Sequence, residues 1–196
     1  RMAVPESILQ GHTAMIPPEA ILATEDDCQD FASVLFLDNG TGNAYLNASG
    51  CIQLNGTAYL GDFTLVLGFS QELYCNGFTL EGDSPVGIAL HGNAAVYDCV
   101  ISGRDRGFMA HESSAIYDST GLSNRVGFVF RDESYGSGNV AHGNVYGVAM
   151  VGSAELQNAQ AYDNDRVGYV LYGPVTLENS QAFGNIQGIY GFGPES

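Results

Sequence analysis

The chain has 196 residues, and 45% of them are hydrophobic, which suits one folded domain with a substantial core rather than a disordered segment. Its 22 acidic and 6 basic residues give a formal net charge of −16. This charge argues against nucleic acid or an anionic membrane surface as a partner, because both are bound through clusters of Lys and Arg. No run approaches the roughly 18 apolar residues of a transmembrane helix, so membrane insertion is not expected.

The first part of the chain is irregular. Within residues 1–26 and just beyond, the stretch MIPPEAILATEDDCQDF predicts a short helix that would cap the open end of a core. Three later stretches, SVLFLDNG, CIQLNG and FTLVLGF, are typical of strands that end in Asn-Gly or Gly-Asp turns. We interpret residues 27–85 as irregular first coils of a repeat structure.

From about residue 85 the sequence repeats with a period of about 20 residues, which is typical of a solenoid. A glycine marks each repeat, at Gly87, Gly107, Gly127, Gly147, Gly168 and Gly188. The first and third residues after each glycine are mostly large and apolar, and they share one face of a strand, so we expect them to point inward. We expect the glycine itself to lie at a tight bend just before this core strand.

A second strand follows in each repeat, with Val96, Ile116, Gly136, Leu156 and Leu177 at its inward position. Asn and Asp recur around the strands, and they tolerate the left-handed backbone of a corner. A unit this short cannot bury its own core, but stacked copies can pair each strand in parallel with its equivalent about 4.8 Å away. The sequence therefore predicts an all-β fold, a parallel β-helix solenoid with about 20-residue coils over residues 27–196, preceded by the capping segment.

Three stretches carry a resemblance to a known family. LYCNGFTLEG (73–82), VGIAL (86–90) and AVYDCVISG (95–103) resemble the right-handed parallel β-helix repeat, or pectin-lyase-like, family, and the resemblance extends over roughly residues 50–196. It implies right-handed coiling. It implies little about activity, because this fold hosts lyases, hydrolases, epimerases and non-enzymatic surface proteins.

The cysteines and the glycosylation sequons both bear on the cellular location of the protein. Coils of this length place Cys75 and Cys99 on neighbouring turns, and Cys28 and Cys51 likewise, so disulfides are expected, with stacked free thiols as the alternative. Three Asn-x-Ser/Thr sequons cluster in one region of the sequence, with turn chemistry alone as the alternative; they begin at Asn39, Asn47 and Asn55. Together with the acidity, these features favour an extracellular or cell-surface location.

One cluster of ionisable residues is a candidate for catalysis. His91 and His111 are expected to stack on adjacent coils, close to Arg131 and to two carboxylates. Imidazoles and an arginine could supply a general base and charge stabilisation. The resemblance implies an arginine base in pectate-type lyases, where acidic residues hold calcium, but that acidic set is not recognisable here. The alternative is a solvated edge with ion pairs.

Two aspartates are candidates for a cation. Asp98 and Asp118 share a column on adjacent coils, where they would repel each other unless they were protonated, bridged by a cation or splayed into water. Calcium needs six or more oxygen ligands, and the sequence does not supply that set. No cofactor is therefore predicted; calcium stays as an alternative to a structural ladder of Asn and Asp.

An apolar stripe follows the outward face of the strand after each glycine. A sheet that is apolar on both faces is usually covered on both, so the stripe predicts a surface for a protein partner or, through its aromatic rings, for a polysaccharide. The alternative is a set of small residues flanked by polar loops. The candidate interface residues are Met109, Val129, Val170, Tyr172, Tyr190 and Phe192.

These observations favour a non-enzymatic extracellular β-helix with a structural or adhesive role, which assembles with its own copies or with other surface proteins. The repeat still runs at QGIYGFG (187–193), so we expect another subunit, or further chain, to cover that end. The alternatives are a polysaccharide-active lyase or hydrolase and a carbohydrate-binding module on the same fold.

Overall fold

A computed structural model describes residues 28–192 as a parallel β-solenoid. The first strands belong to the irregular coils. In chain order these elements are β1 (Gln29–Asp30), α1 (Phe31–Val34), β2 (Leu35–Asp38), β3 (Asn43–Leu46), β4 (Gly50–Gln53), β5 (Ala58–Tyr59), β6 (Thr64–Leu67), β7 (Gln71–Tyr74) and β8 (Thr79–Glu81).

The regular coils begin at Val86; five of them contain three strands each, and β24 is the described part of a sixth. The strands are β9 (Val86–Leu90), β10 (Ala95–Tyr97), β11 (Val100–Ser102), β12 (Arg106–Ala110), β13 (Ala115–Tyr117), β14 (Thr120–Leu122), β15 (Val126–Arg131), β16 (Tyr135–Ser137), β17 (Val140–His142), β18 (Tyr146–Val151), β19 (Glu155–Gln157), β20 (Gln160–Tyr162), β21 (Val167–Tyr172), β22 (Thr176–Glu178), β23 (Gln181–Phe183) and β24 (Gln187–Phe192).

The strands stack into three sheets that enclose the core. Sheet 1 has nine strands in the order β2-β3-β6-β9-β12-β15-β18-β21-β24, sheet 2 has eight in the order β1-β4-β7-β10-β13-β16-β19-β22, and sheet 3 has seven in the order β5-β8-β11-β14-β17-β20-β23. The pairing of equivalent strands in successive coils is parallel, with the β2–β3 hairpin as an antiparallel start to sheet 1. The predicted fold class is confirmed.

The core consists of inward columns that run along the solenoid. Phe108 and Phe128 are fully buried in the column that was predicted to point inward, and their rings stack with centroids 4.8 Å apart. Where sheet 2 has Gly136, the rings and methyl groups of Phe130 and Leu156 fill the position that a side chain would take. Large side chains of neighbouring positions thus fill the space that a glycine leaves, which keeps the interior closely packed.

The start of the described chain is covered by its single helix. Asp30 caps α1, because its carboxylate accepts a hydrogen bond from the Ala32 backbone N–H at 3.3 Å. Phe31 and Val34 then bury their side chains against the first coil. The predicted capping segment 1–26 lies outside the described residues.

Residues in the left-handed backbone region turn the chain at each of the three corners. The corner between sheets 2 and 3 carries one in every regular coil, at Asp98, Asp118, Gly138, Asn158 and Asn179, with φ between 46° and 69°. Equivalent columns begin at Gly92 between sheets 1 and 2 and at Gly103 between sheets 3 and 1. Gly, Asn and Asp adopt this region at the lowest cost, so the predicted role of Asx residues at corners holds for this column.

A second set of asparagines forms a buried ladder rather than corners. The Asn144 backbone N–H donates to Oδ1 of Asn164 in the next coil (3.1 Å), and Asn144 Nδ2 donates to the Gly121 carbonyl oxygen (2.9 Å). Asn124 and Asn164 repeat both contacts, and Asn185 continues the series. The ladder satisfies backbone groups that would otherwise be buried without partners.

The recurring glycines do not lie at the predicted bend, and that expectation was wrong. Gly107 and Gly127 are the second residues of β12 and β15, and their φ angles lie outside the left-handed region. A Cβ atom on Gly127 would lie 2.7 Å from the carbonyl oxygen of Gly147 and 3.0 Å from Nδ2 of Asn144. Glycine recurs because consecutive coils approach too closely here for any side chain.

Two disulfides join neighbouring coils, one within the irregular coils and one between the irregular coils and the first regular coil. Cys28 bonds to Cys51 and Cys75 bonds to Cys99, with Cα atoms 4.7 and 4.8 Å apart, as expected for residues on adjacent turns. The predicted disulfides are confirmed, and the described residues contain no free thiol. Disulfides persist in oxidising compartments, which fits an extracellular environment.

The close approach at the glycine column predicts a sharp difference between two alanine substitutions. Gly127→Ala should lower the free energy of unfolding by about 1–3 kcal/mol or more, because the methyl group meets backbone that cannot move aside. Gly188→Ala is the matched control, since its Cβ would meet only the Ala182 methyl at an ordinary 3.6 Å. Denaturant unfolding of both variants measures the difference; equal losses would contradict the argument.

Candidate functional site

The outer face of sheet 1 carries an apolar column along its whole length. Strand register aligns the predicted outward positions across the sheet and extends them into the irregular coils. The column reads Phe36, Tyr45, Val66, Ala89, Met109, Val129, Ala149, Val170 and Tyr190. Its first three members were not recognised from the sequence, because the irregular coils lack the glycine that marks the register.

Exposure along this column is uneven. Ala89, Val129 and Val170 are each less than a tenth exposed, because the flanking side chains cover them. The larger residues at the ends reach solvent: Phe36 is 59% exposed and Tyr190 is 42% exposed. The aromatic residues of the first and last described strands therefore provide most of the exposed apolar surface of this column. The last of these strands has a neighbour on one side only, so even its inward-facing Ile189 is 53% exposed.

The two flanking columns change character along the solenoid. In the first regular coils they contain charged or titratable groups, whereas in the last three coils they are uncharged. One column reads Val86, Arg106, Val126, Tyr146, Val167 and Gln187, and the other reads His91, His111, Arg131, Val151, Tyr172 and Phe192. The side chains of these three columns thus form an uncharged block in the last three coils, bordered by the Arg166 guanidinium, which donates to the Tyr146 hydroxyl (3.3 Å), on a protein whose net charge is −16.

The structure brings the predicted histidines together. The rings of His91 and His111 stack with centroids 5.3 Å apart and planes 13° from parallel. Burial, followed by the neighbouring charges of His91 and Arg131, lowers the pKa of His111, while Asp132 and Glu112 act in the opposite direction. His111 Nε2 is buried and has no hydrogen-bond partner among residues 28–192. The His111 imidazole is therefore neutral at neutral pH and chemically able to accept a proton.

An acidic depression adjoins these histidines at the corner between sheets 1 and 2. It has a volume of about 360 Å³ and is lined by Glu112, Ser113, Asp132, Glu133, Gly152 and Ser153. Three carboxylates therefore lie beside the column that contains His111 and Arg131. In the described part of the chain, however, no group of three or more His, Cys, Asp or Glu is placed to hold a metal ion.

The candidate calcium residues occupy adjacent corners, but their carboxylates point in opposite directions. Asp98 extends toward the position of Gly77 in the preceding coil, whereas Asp118 extends over Gly138 in the following coil. Divergence relieves the repulsion that two neighbouring carboxylates would otherwise feel. The pair thus has the splayed arrangement and the corner role, and it does not converge on a shared cation position.

Stacked aromatic side chains line all three sheets. On sheet 1, Tyr172 and Phe192 stack with ring centroids 4.7 Å apart, and Tyr190 meets Phe192 edge to face. In such a stack the ring faces contact neighbouring rings along the axis, so mainly the ring edges remain for a ligand. This arrangement suits packing against a flat protein surface better than stacking on a sugar ring.

Two further aromatic stacks were missed by the sequence reasoning. Tyr74, Tyr97 and Tyr117 stack on sheet 2 with centroid separations of 4.4 and 4.9 Å, and burial raises the pKa of Tyr117 to about 12. His142, Tyr162 and Phe183 stack on sheet 3 at 5.1 and 5.0 Å. Their spacing of about one repeat was a usable signal, since residues one repeat apart occupy neighbouring rungs.

The three sequon asparagines, Asn39, Asn47 and Asn55, are all exposed and lie between strands. No described helix is long and apolar enough to cross a membrane. Comparison of the chain with protein-family models, with curated proteins and with solved structures finds no match in any of the three. The class of protein that the fold defines is therefore the parallel β-solenoid, and the pectin-lyase-like resemblance stays a prediction.

The environment of His111 predicts a pH-dependent stability. Because its pKa is lower in the folded than in the unfolded protein, the unfolded chain binds more protons as the pH falls through about 6.5, the usual histidine value. The free energy of unfolding should therefore decrease between pH 7 and pH 5, and His111→Asn should make this decrease smaller. Denaturant titrations at several pH values test this.

His91→Asn is the informative companion variant, because it removes a neighbouring charge but leaves His111 in place. The pKa of His111, followed by NMR titration of its ring proton, should move up toward the ordinary value in this variant. An unchanged pH dependence in His111→Asn would contradict the assignment of the effect to this residue.

Proposed function

We propose that this chain is a non-enzymatic extracellular β-solenoid with a structural or adhesive role, and that it associates with a second copy through the outer face of sheet 1. The observation that carries the proposal is the continuous apolar column of that face, together with the uncharged block in its last three coils. Right-handed coiling and membership of the pectin-lyase-like family are part of the proposal.

Charge favours a second copy as the occupant of this face. Two molecules with a formal charge of −16 repel each other wherever their acidic corners meet. The uncharged block avoids this cost and offers exposed aromatic rings at Tyr172, Tyr190 and Phe192. Two copies of the same face also share the same strand spacing, so ridges of side chains on one can fit between those on the other.

The two disulfides support the proposed extracellular location. Cys28–Cys51 lies within the irregular coils and Cys75–Cys99 joins them to the first regular coil, and such bonds persist in oxidising compartments such as the cell exterior. A low density of positive charge and a rigid repeat core fit a protein that works by presenting surfaces. The three sequons would make it a glycoprotein.

A pair of substitutions on different sheets tests the association. Tyr172→Glu places a charge in the proposed interface and should weaken self-association by roughly tenfold or more. Phe183→Glu is the matched control, because Phe183 is an aromatic of similar exposure on sheet 3 (48% against 41% for Tyr172). Sedimentation velocity over a range of concentrations measures both. A protein that is monomeric throughout, or two variants with equal effects, would overturn the proposal.

A polysaccharide-active lyase or hydrolase is the second candidate, and the observation that favours it is the stacked His91–His111 pair beside Arg131 and the acidic depression. In this case His111 accepts a proton from the substrate and Arg131 stabilises the developing negative charge. A carbohydrate-binding module without turnover would use the same face.

The enzymatic candidate predicts that Arg131→Ala abolishes turnover of acidic polysaccharides, measured with and without calcium. Arg125→Ala is the control, because Arg125 is an exposed arginine that pairs with Asp105 at the opposite margin of sheet 1. Turnover that survives in Arg131→Ala would exclude this role for Arg131, and binding without product would indicate the module.

A further inference from the structure

The three sequons occupy three different corners at the same end of the solenoid. Asn39 lies in the hairpin between β2 and β3, which turns beside the corner of sheets 3 and 1, where Gly42 accepts a hydrogen bond from the Thr64 N–H at 3.1 Å. Asn47 follows β3 at the corner of sheets 1 and 2, and Asn55 follows β4 at the corner of sheets 2 and 3. Side chains at these positions surround the first coils.

The ladder asparagines and the sequon asparagines have different environments. In the regular coils the ladder residues Asn124, Asn144 and Asn164 are at most 3% exposed and hydrogen-bonded between coils. The sequon asparagines are exposed, so a large group on Nδ2 can extend into solvent without displacing the core. The buried ladder and the left-handed corners, which include Asn158 and Asn179, account for the asparagines of the later coils. The three sequon asparagines belong to neither set, since none of them has a positive φ.

Asn47 also borders an apolar depression. This depression, of about 360 Å³, is lined by Phe36, Tyr45, Leu46 and Asn47. Tyr45 precedes Asn47 by two residues, and Phe36 pairs with Tyr45 across the hairpin. Phe36 and Tyr45 are 59% and 36% exposed, so both rings can contact a group attached to Asn47. Sugar rings pack on aromatic side chains through their C–H faces.

We propose that Asn39, Asn47 and Asn55 carry N-linked glycans that form a collar around the first coils, and that the first N-acetylglucosamine on Asn47 covers the depression between Phe36 and Tyr45. The occupant of this apolar surface is thus a sugar attached to the chain itself. The inference rests on the extracellular location in the proposed function and not on the self-association.

The modification is a group transfer from an oligosaccharide polyprenyl diphosphate. The Asn Nδ2 atom forms a bond to C1 of the first N-acetylglucosamine and loses one proton to a base of the transferase. The bond between C1 and the diphosphate oxygen breaks, and the polyprenyl diphosphate leaves with the bonding electrons. No oxidation or reduction takes place.

The collar gives the two ends of sheet 1 different roles. At the first coils, glycans on Asn39 and Asn47 keep other proteins away from Phe36 and Tyr45, which continue the apolar column. The last three coils contain no sequon and remain free for a second copy. Association is thereby restricted to one half of the face.

Occupancy is the first measurement. The full chain, secreted from a eukaryotic host, is treated with peptide-N-glycosidase in heavy-oxygen water, which labels each formerly glycosylated asparagine as aspartate, and is mapped by mass spectrometry. We expect label at all three sites, and at Asn47 its loss in Ser49→Ala, which removes the sequon but keeps the asparagine. Absence of label at Asn47 in the secreted protein would overturn the proposal.

Thermal stability tests the contact with the aromatic rings. Enzymatic removal of the glycans should lower the melting temperature of the wild-type protein by about 2–4 °C, the size of effect expected for one aromatic contact in a chain of this length. Trimming each glycan to a single N-acetylglucosamine should leave the melting temperature unchanged. The shift should vanish in Tyr45→Ala, with Phe36→Ala as a second variant, and persist in Asn39→Gln. A shift that survives both aromatic substitutions would refute the proposed contact.

These readouts are independent of the self-association. A secreted protein that is glycosylated and stabilised, but monomeric before and after glycan removal, would refute the proposed assembly and leave the collar intact. A secreted protein that dimerises but is not glycosylated would refute the collar and leave the proposed assembly intact.

Discussion

The close approach of consecutive coils at the glycine column is the constraint on which the rest of the solenoid depends. At each step a Cβ atom would lie 2.6–2.7 Å from the carbonyl oxygen of the next glycine, so five positions from Gly87 to Gly168 exclude every other residue. The space that glycine leaves is used at once, because the amide of a ladder asparagine lies 2.8–3.0 Å from the same point in four of these five positions. The glycine and the buried asparagine therefore depend on each other. The glycine admits the amide, and the amide satisfies the backbone groups of two coils.

On its N-terminal side the asparagine ladder ends at Arg104, and the coils before Arg104 are joined by disulfides. Arg104 stands where the later coils have asparagine; its backbone N–H joins the ladder through Asn124 Oδ1 (2.8 Å), while its guanidinium donates to Ser84. Burial lowers the pKa of this guanidinium, and two of its nitrogens have no partner within residues 28–192, so the position is costly by comparison with asparagine. The two disulfides lie in the coils before this point, and Cys99 occupies the column that continues as Ser119 and Asn139. Disulfides thus join coils where the hydrogen-bonded ladders have not yet begun.

The inward-facing residues were largely predictable from the sequence, whereas the reason why glycine recurs in each coil was not. Periodicity identified the coils, the inward column of Phe108 and Phe128, and the cysteine pairs, because stacking copies one repeat apart fixes which residues become neighbours. The same reasoning placed glycine at a bend, since glycine usually marks positive φ, but here the limiting factor is the distance between two coils, which no single repeat contains. The divergence of Asp98 and Asp118 was hidden for a related reason. Register places two residues side by side, but it does not determine the directions in which their side chains extend.

Outer positions are free of these packing rules, so a pattern that persists there needs another explanation. Corners tolerate acidic residues, and sheets 2 and 3 alternate polar and aromatic residues, yet the central outer column of sheet 1 stays apolar through nine strands. Core packing cannot account for this, because the column points away from the core. The column has exposed aromatic residues at its ends and small residues, buried by flanking side chains, in its middle. The face is therefore flat in the middle and ridged at the ends. A flat sheet with an aromatic ridge is suited to contact another rigid surface, and the net charge of −16 is the reason why an uncharged part of this face supports the proposal of self-association.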